Sequence, residues 1–68
     1  MNREALERRL SALRIGHIAI IGGCVVWRMA EDRYVSGENE ISLGMSPMTM
    51  EQCAWSIQYT NQYIKAPA

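Results

Sequence analysis

His17-Ile18-Ala19-Ile20-Ile21-Gly22-Gly23-Cys24-Val25-Val26-Trp27-Arg28 is the stretch that decides the fold. Two runs rich in β-branched residues flank a Gly-Gly pair, and glycine tolerates the positive φ that a two-residue hairpin turn demands. A hairpin over residues 17–30 follows, and the turn sets its register: Ile21 opposite Cys24, Ile20 opposite Val25, Ala19 opposite Val26, Ile18 opposite Trp27 and His17 opposite Arg28. Alternation then puts Ile18, Ile20, Val25, Trp27 and Met29 on one side. Ala19, Ile21, Cys24 and Val26 fall on the other, with His17 and Arg28 at its end. Both sides are apolar, whereas a half-solvated hairpin alternates with polar residues. Both faces therefore call for cover, which a chain of 68 residues has limited material to supply.

Before the hairpin, residues 3–14 read as an amphipathic helix capped by Asn2. Leu6, Leu10 and Leu13 form its apolar stripe, Arg3–Glu7 and Glu4–Arg8 pair across one turn on its exposed side, and Gly16 ends it. After the hairpin, residues 31–39 form a polar connection in which Tyr34-Val35-Ser36 can extend a strand. Ile41, Leu43 and Met45 alternate with polar or small residues as a half-buried third strand. A second helix begins at Ser46-Pro47 or at the capping box Thr49…Gln52, runs to about Ile64 and is followed by Pro67. The fold class is α+β: a small antiparallel sheet, α-β-β-β-α in order, flanked by N- and C-terminal helices, with residues 1–68 as a single domain.

Seven Lys+Arg balance seven Asp+Glu. Residues 1–34 carry six arginines against four carboxylates, and residues 35–68 carry Lys65 against three, so the halves hold +2 and −2. Such patches steer partners, but the neutral sum lacks the basic excess of a nucleic-acid module. The apolar run Ile15–Trp27 has 13 residues, against about 20 for a membrane-spanning helix. Glu4 and Glu7 stand where a signal peptide would be basic. A soluble, cytoplasmic protein is expected, with no membrane contact and with Cys24 and Cys53 as reduced, buried small hydrophobes.

Chemistry has little to work with. His17, Cys24 and Cys53 match no zinc spacing, so no metal is expected. In the hairpin register His17 does not reach Cys24, which leaves no activated nucleophile. Glu31-Asp32 and Glu38/Glu40 read as solvated charge. Gly22-Gly23 lacks the lysine and following helix of a phosphate loop. The expectation is no enzyme and no cofactor.

The second helix is the most informative segment. At about 100° per residue, Met50, Cys53, Ala54, Ile57, Asn61 and Ile64 gather on one face, while Trp55, Tyr59 and Tyr63 gather opposite, beside Gln52. A helix packed once on a sheet needs one apolar face, so the aromatic stripe is either a partner-binding face, extra core under the first helix, or a homodimer seam. Trp and Tyr dominate binding hot spots. The expected function is a small protein-binding module acting through Trp55, Tyr59, Tyr63, Gln52 and Gln62, with a protein partner and a homodimeric state. Its size and style match the inhibitors that bacteriophages direct at host enzymes or defence complexes, including anti-CRISPR-like proteins. The alternatives are a nucleic-acid-binding accessory protein that stacks bases on the stripe, and a structural homodimer with no further ligand.

Overall fold

The computed structural model describes residues 2–37 and 46–64. Helix α1 spans Arg3–Ala12. Strands β1 (Ile18–Ile21), β2 (Cys24–Ala30) and β3 (Arg33–Gly37) form an antiparallel sheet in that order, and helix α2 spans Met50–Tyr59. The helix-strands-helix order and the three-stranded sheet are those expected from the sequence. Glu38, Glu40 and the strand expected around Ile41–Met45 lie outside the described residues.

The hairpin register agrees pair for pair with the one the Gly-Gly turn imposes: Ile18 with Trp27, Ala19 with Val26, Ile20 with Val25, Ile21 with Cys24. Gly22 and Gly23 both have positive φ, at 58° and 77°. Gly22 meets a second constraint. A Cβ there would lie 2.6 Å from Cγ2 of Ile57 and 3.0 Å from Cδ2 of Leu6, because the turn tucks against both helices. The Asn61 side-chain amide donates to the Gly22 carbonyl at 2.7 Å and holds the turn there.

Strand β3 falls within the stretch read as a polar connection. The Glu31-Asp32 turn returns the chain at once, and Tyr34, Val35 and Ser36 pair with Arg28, Trp27 and Val26. The register shifts between Arg28 and Ala30, so Met29 is the extra residue of a bulge on β2. On its far side Tyr34 exchanges two backbone hydrogen bonds of 2.8 Å with Met48, which leads the chain into α2.

Helix α1 is capped by Asn2, whose side-chain oxygen accepts from the Ala5 N–H at 2.8 Å. It ends earlier than residue 14, and Gly16 is not its terminator. Leu13 turns extended, and the Arg28 guanidinium supplies the missing donors: it donates to the carbonyls of Ser11 (3.1 Å) and Leu13 (2.7 Å). Gly16, at φ 87°, lies in the following turn and donates its N–H to the Arg28 carbonyl at 2.7 Å. The other half of the same guanidinium donates to the Glu31 carbonyl at 2.7 Å, and its carbon sits 5.4 Å from the centre of the Tyr34 ring.

Of the two starts open to α2, the structure uses Thr49. Its hydroxyl accepts from the Gln52 N–H (3.2 Å), while the Gln52 side chain accepts from the Thr49 N–H (3.1 Å). Asp32 adds a long-range cap, accepting from the Met50 N–H at 2.9 Å. Past Tyr59 the helix widens into a π-helical turn over Thr60–Ile64, which carries Asn61 to Gly22.

Both helices cover the same side of the sheet. Leu6 and Leu10 of α1, Cys53, Ala54 and Ile57 of α2, and Ile21, Cys24, Val26 and Tyr34 of the sheet make one buried cluster. The Tyr34 hydroxyl donates to the Leu10 carbonyl at 3.0 Å.

The Gly22 contact yields an ordered pair of expectations. Gly22→Ala destabilises the fold by about 2–4 kcal/mol through positive φ plus overpacking. Gly23→Ala, whose Cβ would meet Asn61 Oδ1 at an ordinary 3.7 Å, costs about 1 kcal/mol. Urea unfolding of both variants measures the difference, and equal losses would refute the close approach. Arg28→Lys keeps the charge but cannot serve three carbonyls from one planar fork, and is expected to cost about 2 kcal/mol in the same assay.

Candidate binding surfaces

Cys53, Ala54 and Ile57 turn α2 toward the core and so decide which of its faces is left outside. Trp55, Tyr59 and Tyr63 lie on that outer face, 56%, 45% and 66% exposed. They are not core under α1. The rings form a column: Trp55 and Tyr59 stack with centroids 5.3 Å apart at 22°, and Tyr59 and Tyr63 follow at 4.9 Å and 45°. Each ring is thus in contact with its neighbour along the column.

Gln62 lines a shallow hollow along this column together with Gln58, a residue the sequence reading passed over. The i, i+3 and i, i+4 spacing of Gln58 from Trp55 and to Gln62 is the signal that places it there. Gln52 is exposed beside Trp55, but its side-chain oxygen is committed to the helix cap. It lines a second groove with Arg3, Met48, Glu51, Trp55 and Ser56. Arg3 and Glu51 close one wall of that groove through a 2.7 Å ion pair between the two helices. Trp55 belongs to both hollows.

The second apolar surface is the outer face of the sheet. Ile18, Ile20 and Trp27 stand exposed there, on the side away from both helices, with Ile20 68% exposed; the bulged Met29 is exposed as well. Val35, opposite Trp27 on this face, is nearly buried.

The thiols Cys24 and Cys53 are free and buried in the helix-side core. Burial pushes the Cys53 thiol up to about 11; a hydrogen bond with Ser36 offsets this in part and the neighbouring Cys24 adds to it. A thiol so shifted is neutral at physiological pH and is a poor nucleophile. His17 is exposed at the mouth of the hairpin. Among the described residues no group of three His, Cys, Asp or Glu side chains is placed to hold a metal ion. No helix among them is long and apolar enough to cross a membrane. No protein-family model, curated protein or solved structure matches this chain.

The shifted thiol has a measurable consequence. Iodoacetamide at pH 8 is expected to leave Cys53 unmodified in the folded protein and to alkylate it readily in denaturant, as read by intact mass. Because the folded value lies above the ordinary 9.0, the thiol's contribution to stability is complete below pH 9 and is lost as pH rises toward 11. The Tyr34 hydroxyl, also raised by burial, acts in the same direction. Stability that rises between pH 9 and 11 would contradict both.

Proposed function

We propose that this chain is a non-enzymatic protein-binding module whose contact face is the Trp55–Tyr59–Tyr63 column, with Gln58 and Gln62 along its flank and Gln52 at its upper end. The observation that carries the reading is the column itself: three large aromatics, pre-ordered by stacking and left in solvent on the outer face of α2. Exposed aromatics already held in one arrangement lose little rotamer entropy on binding, and their polar tips and the glutamine amides supply directional contacts. The column also argues for protein over nucleic acid. Single-strand binders interleave their aromatics with basic residues, and residues 50–64 carry no lysine or arginine.

Such a module acts by occupying a partner's surface. An inhibitor directed at an enzyme or a defence complex is the use that fits its small size, in the manner of bacteriophage proteins that block host machinery. The cytoplasm suits two buried free thiols, since a reducing compartment keeps them so.

The test compares wild type with a Trp55→Ala/Tyr59→Ala variant. Both side chains are exposed, so the variant is expected to fold with a loss of about 1 kcal/mol, chiefly the ring stack. A protein captured from extract by wild type and then purified is expected to bind the variant at least ~30-fold more weakly by calorimetry, the scale of one hot-spot residue. Undiminished affinity moves the contact face elsewhere. Binding of a single-stranded oligonucleotide that collapses as salt rises would instead support the nucleic-acid reading.

A further inference from the structure

The three-stranded sheet has two edges. That of β3 is occupied at Tyr34, whose N–H and carbonyl both bond to Met48 at 2.8 Å. That of β1 is open. The Gly22-Gly23 turn makes Ile21 and Cys24 a hydrogen-bonded pair, so Ala19 bonds to Val26 and His17 to Arg28, in keeping with the 3.1 Å bond from the Arg28 N–H to the His17 carbonyl. Ile18 and Ile20 alternate with these residues and turn their backbone groups the other way. Their N–H and C=O groups point out of the sheet and have no partner among the described residues. We infer that this edge is where two copies of the chain join, β1 against β1 in antiparallel pairing, to make one continuous sheet.

The groups on either side fix the register. Beyond Ile18 the Gly16 N–H is donated to the Arg28 carbonyl, and beyond Ile20 the Gly22 carbonyl accepts from Asn61, each at 2.7 Å. The open stretch is therefore Ile18 and Ile20 alone. A twofold axis through Ala19 sets Ile18 of each copy opposite Ile20 of the other, and each such pair exchanges two bonds. Every open group on both edges is then satisfied. A slip of two residues either way would set Ile20 against Gly16 or Ile18 against Gly22, whose groups are already taken.

The strand is suited to pairing with itself. Residues 15–23 contain no Lys, Arg, Asp, Glu or Pro, so no like charges meet across the seam and no ladder donor is missing. Edges of monomeric proteins are commonly guarded by such residues or by a bulge, and the bulge of this sheet lies between β2 and β3. Ile18 and Ile20, 49% and 68% exposed, become cross-strand neighbours on the outer face. The two Ala19 residues meet at the axis as a non-hydrogen-bonded pair, where strands come closest and a small side chain fits. The assembly is closed, because the same edge serves both copies and is used up. Helix α1 packs beside β1 and α2 beside β3. The aromatic column thus stands away from the seam, and the inference does not depend on what the column binds.

The contact is narrow and rests on backbone hydrogen bonds more than on area, so the expected dissociation constant is on the order of 100 µM. Sedimentation equilibrium reads the mass, and amide exchange by nuclear magnetic resonance reads the seam. The Ile18 and Ile20 N–H groups are expected to exchange freely in dilute protein and roughly fivefold more slowly at about 1 mM, while the Ala19 N–H, bonded within the hairpin, is unchanged. Ile20→Pro removes one donor from each copy and no bond within the monomer, and is expected to weaken the dimer roughly 30-fold. Should the fixed φ of proline disturb the fold, N-methylation of Ile20, in protein assembled by ligation at Cys24, removes the same donor and keeps the side chain. Trp55→Ala/Tyr59→Ala is expected to dimerise as wild type. A wild type that is still monomeric at the higher concentration overturns the proposal, including the case in which an added extended peptide protects the same two amides and so makes the edge a site for an unlike strand. A dimer whose Ile18 and Ile20 amides exchange as in dilute protein, or that persists in the folded proline or N-methyl form, places the seam elsewhere. Masses that keep growing beyond the dimer overturn the closed twofold pairing.

Discussion

The buried phenol of Tyr34 is the point through which the described elements are joined. Its hydroxyl holds the carbonyl of Leu10 near the end of α1, its backbone pairs with Met48 at the approach to α2, and its ring lies under the Arg28 guanidinium. Arg28 in turn serves the last carbonyls of α1 and the Glu31 carbonyl in the β2–β3 turn. A short helix whose final carbonyls lacked donors would fray. Here one planar cation, positioned by the strand that carries it, closes the helix and the turn together. These backbone acceptors are thereby paired, which a core with ten buried hydrophobics needs, since its margin of stability is small.

The same junction sets the sidedness of the molecule. Tyr34 and Val26 join the core side chains of both helices in one buried cluster on one side of the sheet, and the Tyr34 hydroxyl ties α1 to that side. Two helices of ten residues each cover one face of a three-stranded sheet. The other face keeps Ile18, Ile20 and Trp27 outside. The molecule thus has two unlike exposed surfaces: an apolar sheet face, and an aromatic, glutamine-lined helix flank.

Much of the fold was legible because its signals are local. The Gly-Gly turn specified the hairpin register, since two residues of positive φ between β-branched runs admit one pairing. Asn2 and the Thr49–Gln52 box marked both helix starts, and the leucine stripe marked the buried side of α1. The third strand was harder to place. Glu31-Asp32 and Arg33 look polar along the chain, yet Tyr34 and Val35 behind them are buried. Their pairing depends on β2, a non-local partner, and on a bulge at Met29 that no composition signal announces. The role of Arg28 was likewise hidden: opposite His17 it looked like a strand-end charge, whereas its acceptors lie on α1 and in the next turn.

The sequence by itself determined the two helices, the hairpin and its register, the two apolar sides of the hairpin and the two faces of α2, because each rests on short-range steric rules and on side-chain periodicity. Which of those faces were buried was decided only by tertiary structure. The periodicity of α2 is equally consistent with Trp55, Tyr59 and Tyr63 inside or outside. What resolves it is volume: Cys53, Ala54 and Ile57 are small enough to let α2 approach the sheet closely, to within contact of a Gly22 that has no side chain, and three aromatic rings are not.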